Sequence, residues 1–133
     1  MKPTFHPLHA LLLAGAFPLF LGVLLTDFAY YQTFEIQWKN FASWLIVGAL
    51  LFGGLALLWA IVETARVGWR APGRAIYFVL LALAWVLGLV NALVHSGDAW
   101  ASMPQGLVIA LIDAVLVTLA TGVGFFLLAR GAA

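Results

Sequence analysis

The sequence predicts an all-α integral membrane protein, an antiparallel four-helix bundle with its N-terminus and C-terminus cytoplasmic. Hydrophobic residues make up 65% of the chain and charged residues 8%. Soluble domains carry roughly 45–50% and about 25%, so a water-facing surface could not be covered here. No Asp, Glu, Lys or Arg occurs in residues 3–26, 40–62 or 75–97. Each of these stretches exceeds the ~20 apolar residues that a helix needs to cross ~30 Å of hydrocarbon. A fourth stretch, about 105–129, is interrupted only by Asp113. The stretches are continuous and rich in Leu and Ala rather than alternating, which argues against barrel strands. In lipid the backbone must satisfy its own hydrogen bonds, and helices do so.

A length of 133 residues suits one domain, with spans expected at about 7–31, 41–65, 74–95 and 105–129. Span one opens at His6-Pro7, a proline in a first helical turn, and contains Pro18, which should kink it. Its apolar run is too long for a signal peptide and closes on no small-x-small cleavage site, so it reads as a retained span. Ala71-Pro72-Gly73 breaks the chain after span two, Ser96-Gly97 ends span three, and Pro104 opens span four.

Basic residues orient these spans, because loops rich in Lys and Arg stay on the cytoplasmic side. Arg66, Arg70 and Arg74 fall between spans two and three, Lys2 and Arg130 at the termini, and only Lys39 on the opposite side. The arginine trio reads as a topology signal whose side chains snorkel toward anionic headgroups. Tyr30, Tyr31, Trp44 and Trp100 on the outer side, with Trp69 and Tyr77 on the inner, fall where interfacial belts belong.

Small residues let helix backbones approach closely in lipid. Span one carries Ala10, Ala14, Pro18, Gly22 and Thr26 at spacing four. Span three carries Ala84, Gly88, Asn91 and His95, span four Gly106, Ala110, Asp113 and Gly124, and Gly53-Gly54 interrupts span two. These stripes predict the faces turned toward protein, and a homo-oligomer interface could use the same ones.

An ionisable group inside the membrane is a functional hypothesis by default. Asp27, Asn91, His95 and Asp113 all fall in the outer half, with Asp98 in the loop beside them. They could form a polar, titratable pocket open to the outer face, with His95 suited to proton exchange or metal ligation. Equally, Asn91, His95 and Asp113 could bond across the bundle and fix its register. Haem between His6 or His9 and His95 is excluded by a separation of roughly 25–30 Å between the two ends of the antiparallel bundle. His6 and His9 then serve helix entry and interfacial contact, and His95 with Met103 remains a geometric alternative for haem b at the outer end.

Several function classes are set aside. Six basic against five acidic side chains give a net charge of +1, too little to neutralise a run of phosphates, so nucleic acid is not an expected partner. The absence of cysteine excludes thiolate zinc sites, cysteine-held iron–sulfur clusters and covalent haem. No nucleophile elbow, phosphate-cradling glycine loop or HExxH occurs, and no serine lies in the middle of a span, so no enzyme is expected.

His6-Pro7-Leu8-His9, then Phe17-Pro18-Leu19, then Asp27 nine positions beyond that proline, resemble the start of the bacterial membrane family known as domain of unknown function 2231. The likeness covers nearly the whole chain. Glu63 stands where an acidic residue often ends span two, and Gly122 and Gly124 stand in the glycine-bearing last span. The family commonly has a histidine directly before Phe-Pro, where this chain has Ala16, so no role of that histidine carries over. The resemblance implies a four-pass protein of the bacterial inner membrane, in the company of redox modules of the Rieske or quinoprotein kind.

The expected function is accordingly a small non-catalytic membrane subunit that anchors a periplasmic oxidoreductase. The alternative is an electron-transfer protein in its own right, binding haem b through His95 and Met103, or quinone in the pocket of Asp27, Asn91, His95 and Asp113. Residues 34–39 alternate apolar and polar, and could form a partner-facing strip or a loop lying on the headgroups.

Overall fold

The computed structural model of the chain describes residues 6–98 and 100–132, with side chains as far as Leu127. Four helices follow one another: α1 (Pro7–Thr33), α2 (Ile36–Val67), α3 (Arg74–His95) and α4 (Gln105–Ala132), with a single 3-10 turn at Trp100–Ser102 between the last two. Lys2, used above for orientation, lies outside the described residues, as does the side chain of Arg130.

Local chemistry sets the ends. His6 caps α1, its Nδ1 accepting the Leu8 N–H at 3.1 Å, and Pro7 occupies a position that needs no hydrogen-bond donor. At the other end Phe34 adopts the left-handed region, φ 60°, and donates its N–H to Tyr30 O at 2.7 Å. Its ring then meets Trp100 edge-on at 4.9 Å. Between α2 and α3 the chain turns at Gly68 and Gly73, with φ of 84° and 80°, values that cost glycine little. Within α1 the helix runs on through Pro18.

α2 starts at Ile36, earlier than the expected 41. No helix breaker follows Glu35, and Gln37, Lys39 and Asn40 are polar enough for the headgroup zone yet compatible with a helical turn. Residues 36–39 are therefore a helix start and not a loop. At ~1.5 Å per residue, 32 residues reach ~48 Å, so this helix outreaches ~30 Å of hydrocarbon or crosses it tilted.

The short connection of residues 34–35 forces α1 and α2 antiparallel, and the helices close into a ring in which α1 and α3 each pack on α2 and α4. α1 and α3 face each other across the diagonal. Buried residues of α1 are His9, Leu13, Ala16, Phe20, Val23, Asp27 and Tyr30, and those of α3 are Arg74, Tyr77, Leu81, Ala84, Gly88, Asn91 and His95. In both helices the steps alternate between three and four, the 3.5-residue period of left-handed bundle packing. The core runs in layers from Leu13, Tyr77 and Leu81 through Phe20, Ala84 and Val117 to Val23, Ile46 and Ala110.

The small-residue stripes of spans three and four are buried as expected. That of span one is not: Ala14 and Pro18 are exposed and Ala10, Gly22 and Thr26 half-buried. A spacing of four overshoots one turn by about 40° at each step, so such a stripe spirals away from any single face. Its Gly22, with Gly15 beside the stripe, receives side chains of α2, Leu45 and Phe52 respectively. The outer surface is apolar, with Trp44 at 76%, Leu93 at 68% and Leu25 at 67% exposure, a surface only lipid or protein can cover.

Candidate functional site

At the end of the bundle carrying the α1–α2 and α3–α4 connections, α1 presents Asp27 and α3 presents His95. His95 Nε2 lies 2.8 Å from Asp27 Oδ1 and 3.0 Å from Oδ2, with side-chain exposures of 1% and 0%. His95 Nδ1 lies 2.9 Å from the carbonyl oxygen of Asn91, one turn earlier on α3. A carbonyl only accepts, so Nδ1–H donates to it. One further proton is then shared between Nε2 and the carboxylate, leaving the pair neutral as a unit.

α4 closes over this pair because position 106 has no side chain. A Cβ on Gly106 would lie 2.8 Å from His95 Cε1. Ser102 and Met103 are buried in the segment that leads into α4. A groove of about 180 Å³ between α2 and α3, lined by Ser43, Ile46, Val47, Ala92, His95 and Ser96, approaches from the side. Asp98, expected near His95, is exposed.

The four residues picked out by sequence thus fall into two groups. Asp27 and His95 bond directly, joined by the backbone of Asn91. Asp113 lies two turns beyond Gly106, about 10 Å along α4, and shares a small interior gap with the Asn91 side chain, Phe20, Val23, Ile46, Gly88 and Ala110. No ion pair involves Asp113 among the described residues.

The pocket does not suit haem. Both ring nitrogens of His95 are engaged inside the bundle, so axial ligation with Met103 would require breaking the bond to Asp27. No cluster of three or more His, Asp or Glu able to hold a metal occurs among the described residues.

A second polar cluster occupies the opposite end, and the sequence reading missed it. His9 is 2% exposed and its Nε2 lies 2.6 Å from Tyr77 Oη; the Trp59 ring lies tilted against His6 and His9 at ring distances of 4.9 and 6.1 Å. Arg74 and Thr64, 6% and 5% exposed, are buried as well. His9 and Tyr77 are therefore bundle residues and not interfacial ones, and Arg74 does not snorkel to the headgroups. Arg66 and Arg70 are exposed, as their expected role requires. The signal was present in register, since His9 lies 18 positions before Asp27, and Tyr77 18 before His95, each five helical turns.

The two pairs consequently form a matched set. Each joins α1 to α3 across the diagonal, and they sit ~27 Å apart at ~1.5 Å per residue, near the two limits of the ~30 Å hydrocarbon layer. Tyr77→Phe is expected to lower stability by about 1–2 kcal/mol, because it removes a buried acceptor or donor from His9 while keeping the ring's packing. Steric trapping or reversible denaturation in micelles measures this.

Residues 5–131, nearly the whole chain, match the family described as Predicted membrane protein (DUF2231). No curated protein and no solved structure matches the chain.

Proposed function

The chain belongs to the DUF2231 family of predicted membrane proteins, and on that premise we propose that it is a non-catalytic subunit of the bacterial inner membrane, anchoring an oxidoreductase on the periplasmic side. The observation that carries this reading is the diagonal pairing of α1 with α3. Asp27 with His95, and His9 with Tyr77, spend their polar groups on one another inside the bundle. Chemistry on a substrate needs groups that face a substrate, whereas a rigid anchor needs helices fixed in register.

The exposed arginines at the His9 end support a cytoplasmic placement of the termini and of the α2–α3 connection. The partner is then met at the Asp27 end, where Phe34, Phe41 and Trp44 are 61%, 52% and 76% exposed. Phe34 lies in the two-residue connection, and Phe41 and Trp44 in the first turns of α2. That the partner is an oxidoreductase rests on the redox company implied by the family resemblance.

Deleting the chain in its host is expected to move one oxidoreductase activity from the membrane fraction to the soluble periplasmic fraction, and a photo-crosslinker at Trp38 to capture that same enzyme. Retention of all periplasmic oxidoreductase activities in their original fractions would contradict the reading. The purified protein, expressed with adequate haem supply, is expected to show no Soret band.

A further inference from the structure

We propose that the groove between α1 and α2 at the His9 end of the bundle seats one phospholipid with an ethanolamine headgroup, its ammonium on the Glu63 carboxylate, its phosphate on the Arg66 guanidinium and an acyl chain along the groove. The groove has a volume of about 440 Å³, with Leu12 of α1 and Leu55, Leu58 and Trp59 of α2 along its length and Glu63 and Arg66 at its end. That size falls within the roughly 300–1,000 Å³ of ligand sites. The α2 residues recur at steps of three and four and so share one face of the helix. From Leu55 to Arg66 the helix rises ~16 Å at ~1.5 Å per residue, about half of the ~30 Å hydrocarbon layer and thus the depth of one leaflet. The Trp59 ring lies against His6 and His9, near the limit of that layer. Glu63, one turn further along α2, therefore stands at headgroup level, and Leu55, one turn the other way, among the acyl chains. The inference rests on the membrane spans and not on the anchoring role.

The charges at the end of the groove select the headgroup. The Glu63 side chain is sheltered, at 17% exposure, while that of Arg66 is 71% exposed, and Arg66 Nη1 stands 3.6 Å from Glu63 Oε1. This is longer than the roughly 2.7–3.2 Å of an N–H···O hydrogen bond, so the carboxylate and the guanidinium lie at one level without using up each other's hydrogen-bonding capacity. An anionic glycerol headgroup satisfies Arg66 but sets its phosphate beside the Glu63 carboxylate. A choline headgroup carries its positive charge on a nitrogen with no N–H to donate. Ethanolamine offers both halves: its ammonium donates to Glu63, and the neighbouring phosphate accepts from Arg66 in a charge-assisted pair. Arginines alone draw a membrane protein to anionic lipid; the acid inside the groove is what turns the preference toward a zwitterion.

Trp59 lies in the groove and reports its occupant. The full chain is reconstituted in phosphatidylcholine vesicles, and phosphatidylethanolamine or phosphatidylglycerol with brominated acyl chains is titrated in, the quenching of Trp59 being read as wild-type minus Trp59→Phe emission. Half-maximal quenching is expected at an about fivefold lower mole fraction of the ethanolamine lipid than of the glycerol lipid. In Glu63→Gln the order is expected to reverse, because the remaining Arg66 then favours the anion. Equal quenching by the two lipids, or the glycerol lipid ahead in the wild type, overturns the proposal. An ethanolamine preference that survives Glu63→Gln overturns it equally. Should Trp59→Phe fail to fold, unfolding midpoints of the otherwise unaltered chain replace the emission. They rise more with the ethanolamine lipid than with the glycerol lipid, and Glu63→Gln loses that difference; equal rises, or an unchanged difference in the variant, contradict the proposal.

Discussion

Asp27→Ala and His95→Ala are each expected to lower the unfolding free energy by roughly 3 kcal/mol, the scale for removing one partner of a buried ion pair. The penalty belongs largely to the group left behind. With Asp27 gone, the Nε2 side of an imidazole that is 1% exposed faces no acceptor; with His95 gone, a carboxylate that is 0% exposed loses its proton partner. The double variant Asp27→Ala/His95→Ala should therefore cost distinctly less than the two single changes added together, with a coupling of about 2 kcal/mol. That exceeds the ~0.6 kcal/mol average of interhelical hydrogen bonds in membrane proteins, because the contact is fully buried and Nε2 meets both carboxylate oxygens. Strict additivity in the cycle would mean that the two side chains do not hold α1 to α3.

Gly106→Ala is the second large effect, and its sign depends on His95. In the wild type the added methyl stands 2.8 Å from the ring's Cε1. The ring cannot simply turn away, because Asp27 and the Asn91 carbonyl hold both nitrogens. Overpacking of this kind costs about 1–3 kcal/mol. In a His95→Ala background the obstruction is gone, and the same substitution should stabilise by up to about 1 kcal/mol through the better helix propensity of alanine. Unfolding midpoints of the four proteins check this; an equal effect of Gly106→Ala in both backgrounds would show that α4 does not close on the ring.

Much of the architecture could be read directly, because lipid imposes blunt rules. Charge-free stretches long enough to cross hydrocarbon, with Pro7, Gly73 and Pro104 at their starts, leave little choice but four helices. The small-residue stripe of α3 worked because Ala84, Gly88, Asn91 and His95 step by four, three and four, close to the 3.5-residue period. The stripe of α1 failed because Ala10, Ala14, Pro18, Gly22 and Thr26 step by four throughout and spiral off the face. Asp27, Asn91, His95 and Asp113 were recognisable as polar residues of one end. Their partners were not, since whether His95 meets Asp27 or Asp113 depends on helix rotations of a few tens of degrees. His9, Tyr77 and Arg74 were misassigned for a different reason. Residues near helix ends look interfacial in a hydropathy reading, and only their membership of the buried register separates them from Trp69 or Arg70, which do face outward.

The central claim is that the polar pair at the Asp27 end serves the bundle and not a reaction. Its most direct test is the membrane-bound activity of the captured oxidoreductase in vesicles carrying Asp27→Leu/His95→Leu, a change that replaces a buried pair with apolar side chains and is often tolerated or stabilising. With the variant present and folded at wild-type amount, partner activity per vesicle should equal that of the wild type. A folded variant at full amount that still binds the partner but has lost that activity would contradict the account and make Asp27 and His95 functional groups.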